Sequence, residues 1–204
     1  MDFKQADKAI RDMNKRNLRA FDRLKTLKFD ELNVLQAVTN VYDDAVRIAK
    51  LRYQQIAYDA YLTALIAADV PRKEAKQRAD DELWDLFVLE LLEEENETTL
   101  YSFVNEIERK KQRLIEALAV AVNKDEEIDK ALKFLTLQLA QYADEVVIAA
   151  TVAAYADADV DYVEWVAMDD DRVCQECDER DGKIYPIDKI PSRHWRCRCI
   201  LLPA

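Results

Sequence analysis

The chain has 204 residues, a formal net charge of −11 and a single glycine. The acidic balance argues against duplex DNA binding as the main activity, because phosphate contacts need clustered Lys and Arg. The scarcity of glycine excludes Rossmann and Walker phosphate loops, and an all-β sandwich, over most of the chain.

Neither a membrane span nor a secretory signal is predicted. The longest low-charge run, Val146–Ala156, is far shorter than the roughly 20 apolar residues of a spanning helix. The first residues, beginning Met1-Asp2, contain no apolar segment of the kind that signal peptides carry. We therefore expect a protein that is made in a reducing cytoplasm and does not contact membrane.

The first predicted domain, 1–28, is a basic N-terminal helical arm. It carries nine Lys and Arg against four Asp. Its apolar stripe is thin, although Phe3, Ala6, Ile10 and Met13 are spaced by three and four residues, as in a helix. Two interpretations are open: a solvated helix packed along one edge of the protein, or an arm that docks on a partner or on nucleic acid.

The second predicted domain, 29–160, is a helical bundle. Apolar residues recur at three and four positions in four further segments. These segments begin at Asp30, Pro71, Thr98 or Thr99, and Asp125, and the segment from Pro71 ends near residue 95. Short polar side chains favour helix N-caps, and proline suits a first helical turn. The predicted fold is mainly α, an elongated antiparallel bundle of about five helices.

No catalytic constellation is predicted in residues 1–160. This part contains no histidine that could activate a Ser or Cys nucleophile. It also lacks the Glu-x-x-His pairs that di-iron helical bundles use. We expect that the protein is not an enzyme.

The third predicted domain, 161–204, is a small β-rich zinc-knuckle module. Residues 162–168 alternate and are rich in β-branched and aromatic types, which predicts a strand, and a second strand is predicted at 200–202. Between them lies every cysteine and the only histidine of the chain. The candidate metal ligands are Cys174, Cys177, His194, Cys197 and Cys199.

Their spacing predicts structural Zn²⁺. Cys174 and Cys177 form a knuckle, and nineteen residues separate Cys177 from Cys197, within the spacing typical of zinc ribbons. His194 and Cys197 form the natural second pair, but Cys199 could replace either. Zinc takes four tetrahedral ligands, so five candidates compete for four positions and the choice stays open.

The sequence disfavours other chemistry of these residues. Two disulfides are disfavoured by a reducing compartment. A thioredoxin-like pair is disfavoured because the Cys174-x-x-Cys177 sequence is not predicted to open a helix in a βαβ unit. A closed four-ligand site leaves no position for a catalytic water, and an HNH-type nuclease would need a general-base histidine besides His194.

The motifs of this segment resemble those of the head-morphogenesis family, the Mu F-like minor head proteins of tailed phages. The resemblance covers about 161–203. It rests on Asp171 followed by Cys174-x-x-Cys177, on Asp181-Gly182, on a loop with prolines, and on His194-x-x-Cys197-Arg-Cys199 before a short apolar strand.

The resemblance implies a non-enzymatic virion component inside the head that associates with the portal and assists head assembly or genome delivery. Capsid proteins, scaffold proteins and further copies of this chain are additional candidate partners. DNA contact is expected to be weak or indirect. Some relatives carry an enzyme domain beyond the signature, and none is expected here.

The alternative is a zinc-ribbon nucleic-acid-binding protein. Its cations would be Arg172, Arg180, Lys183, Arg193, Arg196 and Arg198, with Trp195 as a stacking platform. The segment from Asp169 onwards holds seven cations and eight anions, so the electrostatic attraction for phosphate would be weak.

Overall fold

The computed structural model describes residues 4–27, 31–93, 102–168, 173–193, 197 and 199–204. These ranges contain α1 (Lys4–Thr26), α2 (Glu31–Ala67), α3 (Arg72–Asp81), α4 (Trp84–Glu93), α5 (Phe103–Val120), α6 (Lys124–Asp157), β1 (Tyr162–Val166), α7 (Gln175–Arg180), β2 (Ile184–Pro186) and β3 (Ile200–Pro203). A 3-10 turn, Ile187–Lys189, follows β2. The predicted mainly helical fold with a small β-containing C-terminal end is confirmed.

Two helices begin at N-caps that differ from the predicted ones. The Ser102 hydroxyl accepts a hydrogen bond from the backbone N–H of Asn105 at 3.3 Å and caps α5. At the start of α6, the side-chain oxygen of Asn123 accepts from the N–H of Glu126 at 3.3 Å. Asn123 therefore takes the role that was predicted for Asp125, since it satisfies a free amide of the first turn. The predicted starts Asp30, Thr98 and Thr99 lie outside the described residues.

The segment predicted as one helix over 71–95 forms two helices, α3 and α4. Glu82 between them is extended, with φ −77° and ψ 143°. The indole Nε1 of Trp84 donates to the backbone carbonyl of Ala79 at 2.9 Å, so a side chain satisfies one of the free carbonyls at the end of α3. Within the described residues, six helices precede β1 instead of the predicted five or so.

Helix α1 is packed through its apolar stripe. Met13 and Phe21 are buried, and the Phe21 ring lies 5.9 Å from the ring of Tyr42 in α2. Lys25 forms an ion pair with Asp129 of α6 at 2.5 Å. These contacts show that α1 packs against α2 and α6, while the predicted role of this segment as an arm stays a prediction.

The three strands form one antiparallel sheet in the order β2-β1-β3. Val163 and Trp165 of β1 and Leu201 of β3 are buried on one face, with Trp165 directly opposite Leu201. The hydroxyl of Tyr155, near the end of α6, donates to the Leu201 carbonyl at 3.0 Å. Buried side chains therefore connect the sheet to the helix that precedes it.

The chain divides into two compact units. One consists of Gln54–Trp84 and Ala143–Ala204 together with the first residues of α1, and it contains the sheet. The other consists of Asp7–Tyr53 and Asp85–Tyr142. The domain boundaries at 28 and 160 remain a prediction. Among the described residues, no helix combines the length and hydropathy that a membrane crossing requires.

Candidate metal centre

Three buried cysteines form a cluster in the sheet-containing module. The Sγ atoms of Cys177, Cys197 and Cys199 all lie within 4.8 Å of one another. The sulfurs of Cys177 and Cys197 are 3.6 Å apart, far beyond the roughly 2.05 Å of a disulfide bond. None of the four cysteines, all of which are described, forms a disulfide bond. Three inward-facing sulfurs at these separations could hold a metal ion.

Helix α7 places Cys177 in this cluster. Cys174 is its N-cap, and the Cys174 sulfur accepts a hydrogen bond from the N–H of Cys177 at 3.4 Å. The Cys-x-x-Cys sequence therefore does open a helix, of six residues. That helix connects β1 to the antiparallel strand β2, and so it is not the crossover of a βαβ unit.

Arg193 fixes the segment that carries the other two sulfurs. Its Nη2 donates to the backbone carbonyl of Cys199 at 3.3 Å and also to that of Cys197. Burial raises the pKa of Glu145 on α6, and the charge of Arg193 acts in the opposite direction. Sequence reasoning named Arg193 only as a nucleic-acid contact, although its position next to His194 was a signal for a role in the centre.

Trp165 lies beside Cys199. Its side chain is fully buried, and its indole Nε1 has no hydrogen-bond partner among the described residues. Burial raises the pKa of Cys199, whereas the indole of Trp165 acts to lower it. A deprotonated Cys199 sulfur would give this orphaned N–H an acceptor. Sequence analysis identified Trp165 only as a strand residue.

The ionisation of the cluster depends on a positive charge. Burial raises the pKa of the Cys177 thiol, and the neighbouring sulfurs raise it further. Burial would also raise the pKa of Cys197, but the guanidinium of Arg193 contributes to holding it below its ordinary value. One arginine cannot neutralise three thiolates, whereas a divalent cation stabilises coordinated thiolates directly. The donor set therefore fits a thiophilic metal ion.

The five predicted ligands differ in where the structure places them. Cys177, Cys197 and Cys199 form the cluster, including the one sulfur that sequence reasoning treated as a substitute. Cys174 is half-buried and lies next to Cys177. His194 lies outside the described residues, as do Arg172, Trp195, Arg196 and Arg198. The choice of four ligands among the five candidates stays open.

The comparison with protein families identifies the part of the chain that contains this centre. Residues 111–202 match the family described as Phage Mu protein F like protein. The recognition of the Mu F-like family is confirmed. The match covers slightly less than half of the chain.

The family match is wider than the motif that first suggested it. It begins in α5 and includes all of α6 before it reaches the module, whereas the cysteine motif starts after β1. No curated protein and no solved structure matches the chain. The Mu F-like part thus joins two helices to the cysteine-bearing module.

Proposed function

We propose that the protein is a non-enzymatic component of a phage head that binds the portal inside the capsid and assists head assembly or genome delivery. The match of 111–202 to the Mu F-like family is the observation that carries the proposal. The buried cysteine cluster supports it, because a site closed by four protein ligands organises structure and leaves no position for a reacting water.

The metal of the proposed centre is Zn²⁺. Around a tetrahedral zinc with Zn–S of about 2.3 Å, neighbouring sulfurs are about 3.8 Å apart. The observed 3.6 Å between Cys177 and Cys197 is close to this value. When bound, the ion would neutralise the thiolates and cross-link α7 to the segment before β3.

The fourth ligand is either Cys174 or His194. Cys174 is already placed next to Cys177 by the helix cap. The zinc content of two purified variants, Cys174→Ser and His194→Ala, shows which residue is the fourth ligand. Only the loss of the true ligand lowers the affinity for zinc. A retained affinity in both variants would contradict a four-ligand site built from these five residues.

The docking surface in this proposal is the outward face of the sheet. Tyr162 and Ile184 are 51 % and 61 % exposed, and they lie on the face opposite the buried Trp165. Glu164 pairs with Ile184 across β1 and β2, which places these residues side by side. Exposed apolar side chains with a charged neighbour are typical of protein interfaces.

Co-purification tests this surface. The tagged portal protein of the same phage is co-expressed with the full chain, and the amount of chain retained is measured. Ile184→Glu should abolish retention at unchanged zinc content, since it places a charge in the contact. Val122→Glu is the matched control, because Val122 is fully exposed and far along the chain from the module. Retention of Ile184→Glu would move the docking role to the helices.

Two of the three described cations of the nucleic-acid alternative, Arg180 and Arg193, make contacts within the protein, whereas Lys183 is exposed. Arg180 donates to the Ser192 carbonyl at 2.9 Å and pairs with Glu176, and its guanidinium lies 5.1 Å from the Trp165 ring. Arg193 donates hydrogen bonds to the backbone carbonyls of Cys197 and Cys199. A steep salt dependence of DNA affinity would nevertheless favour this alternative over a head protein.

A further inference from the structure

A cationic groove lies between α1 and α2, remote in sequence from the cysteine centre. It has a volume of about 710 Å³. Lys15, Arg19 and Arg23 line it from α1, and Arg52 lines it from α2. Residues four apart follow one another along a helix face, so the three α1 cations form a row with a spacing of about 6 Å.

Cations outnumber carboxylates in the groove, because Asp12 and Asp44 are its acidic lining residues and Asp44 is paired with Arg16. Among the described residues, no carboxylate lies within 4 Å of any of these four cations, all of which are exposed. Arg16 differs, because it pairs with Asp44 at 2.8 Å. The groove also has apolar lining, to which Ile48 and Leu51 contribute, and Leu51 is 54 % exposed. Its preferred occupant is therefore both acidic and apolar.

Helix α4 of the same chain has the complementary surface. Val88 and Leu92 are buried, whereas Leu86, Glu90 and Glu93 are exposed. The three exposed residues are spaced by four and three positions, so they share one face. Among the described residues, neither Glu90 nor Glu93 has a cation within 4 Å. Leu86, at 49 % exposure, supplies the apolar contact.

We propose that the groove of one copy binds α4 of a second copy of this chain. Carboxylates about 5 Å apart would face cations about 6 Å apart, and Leu86 would cover Leu51. The groove and α4 are different surfaces, so each copy can bind two neighbours and the association closes into a ring or continues as a chain. This inference does not depend on the proposed function.

A protein helix fits the groove better than a nucleic acid does. None of the described residues that line the groove is an aromatic on which a base could stack. The exposed Leu51 would also remain in water beneath a phosphate backbone, whereas a leucine-bearing helix would bury it.

A charge-swap experiment tests the proposal by sedimentation velocity of the full chain. Wild-type protein should self-associate at low salt and dissociate at high salt. The groove variant Arg19→Glu/Arg23→Glu and the helix variant Glu90→Lys/Glu93→Lys should each sediment as monomers. Their equimolar mixture should associate again, because the reversed groove then faces the reversed helix. The variant with all four changes should also recover self-association.

The control carries the same change in net charge at another place. Arg72→Glu/Lys73→Glu alters two exposed residues at the start of α3, and it should associate like wild type.

Monomeric wild-type protein at all salt concentrations would overturn the proposal, as would association of both single-surface variants or failure of their mixture to associate. If the groove variant lost binding of a fluorescent DNA oligonucleotide while keeping self-association, the groove would be a nucleic-acid site instead. Circular dichroism confirms that each variant is folded.

Discussion

The helical region before β1 and the module after it are stabilised in different ways. The helices α2 and α6 are 37 and 34 residues long and bury whole stripes of apolar side chains. The strands of the module have three to five residues, and their buried apolar face contains Val163, Trp165 and Leu201. Such a small core rarely suffices by itself.

The largest expected effect comes from removing a metal ligand, which should destabilise the module and leave the helical region unchanged. Cys177→Ser removes a clustered sulfur and should lower zinc affinity by more than about 100-fold, since even residues that only support metal ligands change affinity 10–100-fold. Amide hydrogen exchange should then accelerate over β1–β3 and stay slow over α5. Mass spectrometry of proteolytic peptides measures both regions at once.

The matched control for this change is Ser192→Ala. Ser192 is exposed in the same segment, and only its backbone carbonyl is used, by Arg180. Zinc binding and exchange should therefore equal those of wild type. Equal exchange rates in α5 and in the strands of Cys177→Ser would mean that the two regions unfold together, and the contrast between them would fail.

A second prediction tests whether α1 belongs to the apolar-core region. Phe21→Ala should destabilise the protein by about 3–5 kcal/mol, because the ring is fully buried against Tyr42 and its removal leaves a cavity. Leu18→Ala, at a side chain that is 48 % exposed, should change the free energy of unfolding by less than 1 kcal/mol or so. Urea denaturation measures both. Equal midpoints would indicate a free arm.

The sequence predicted the parts of the fold that depend on repeating patterns. The three-four spacing predicted the start of α6 to within two residues, and alternation located β1. It could not locate the break between α3 and α4, because the Trp84 indole that caps Ala79 acts through a side-chain hydrogen bond without any helix-breaking residue.

The candidate site was likewise predictable where it depends on a local sequence pattern. Cysteine spacing identified the residues that cluster, but it ranked Cys199 below His194. The supporting residue Trp165 was out of reach, since its contact with Cys199 joins β1 to a segment that is distant in sequence. Arg193 is close in sequence to the cysteines whose carbonyls it contacts, and only its position next to His194 indicated a role in the centre. Local pattern carries no information on such contacts.

A third prediction concerns two helix ends that are built alike. Helices α2 and α6 are followed by Asp69 and Asp159 at φ 61° and 54°, and the next amides, of Val70 and Val160, bond back to the last turn at 3.0 Å. Glycine favours this conformation, so Asp69→Gly and Asp159→Gly should each stabilise by about 0.5–1 kcal/mol. Asp161→Gly, where φ is not positive, should give no gain. Thermal denaturation compares them, and a loss of stability in the first two would refute this account of the helix ends.

The smallest effect is a pH dependence that belongs to the helical region alone. Burial raises the pKa of Asp59 on α2, and its Oδ2 is buried with no hydrogen-bond partner among the described residues. The folded chain therefore binds the proton of the Asp59 carboxyl group more tightly than the unfolded chain does. Stability is therefore lost as pH rises from about 4, the ordinary Asp value, through the raised pKa.

Asp59→Asn removes that titration and keeps the size of the side chain. The difference in unfolding free energy between the variant and wild type should shift in favour of the variant as pH rises, by less than about 1 kcal/mol, since water screens the half-exposed carboxylate. Urea denaturation across this pH range measures the difference, with Asp81→Asn on the exposed end of α3 as the control. An identical pH profile in all three proteins would show that the Asp59 carboxylate is solvated in the folded chain. The pH response of the helical region would then have to come from its exposed ion pairs, whose contribution salt removes.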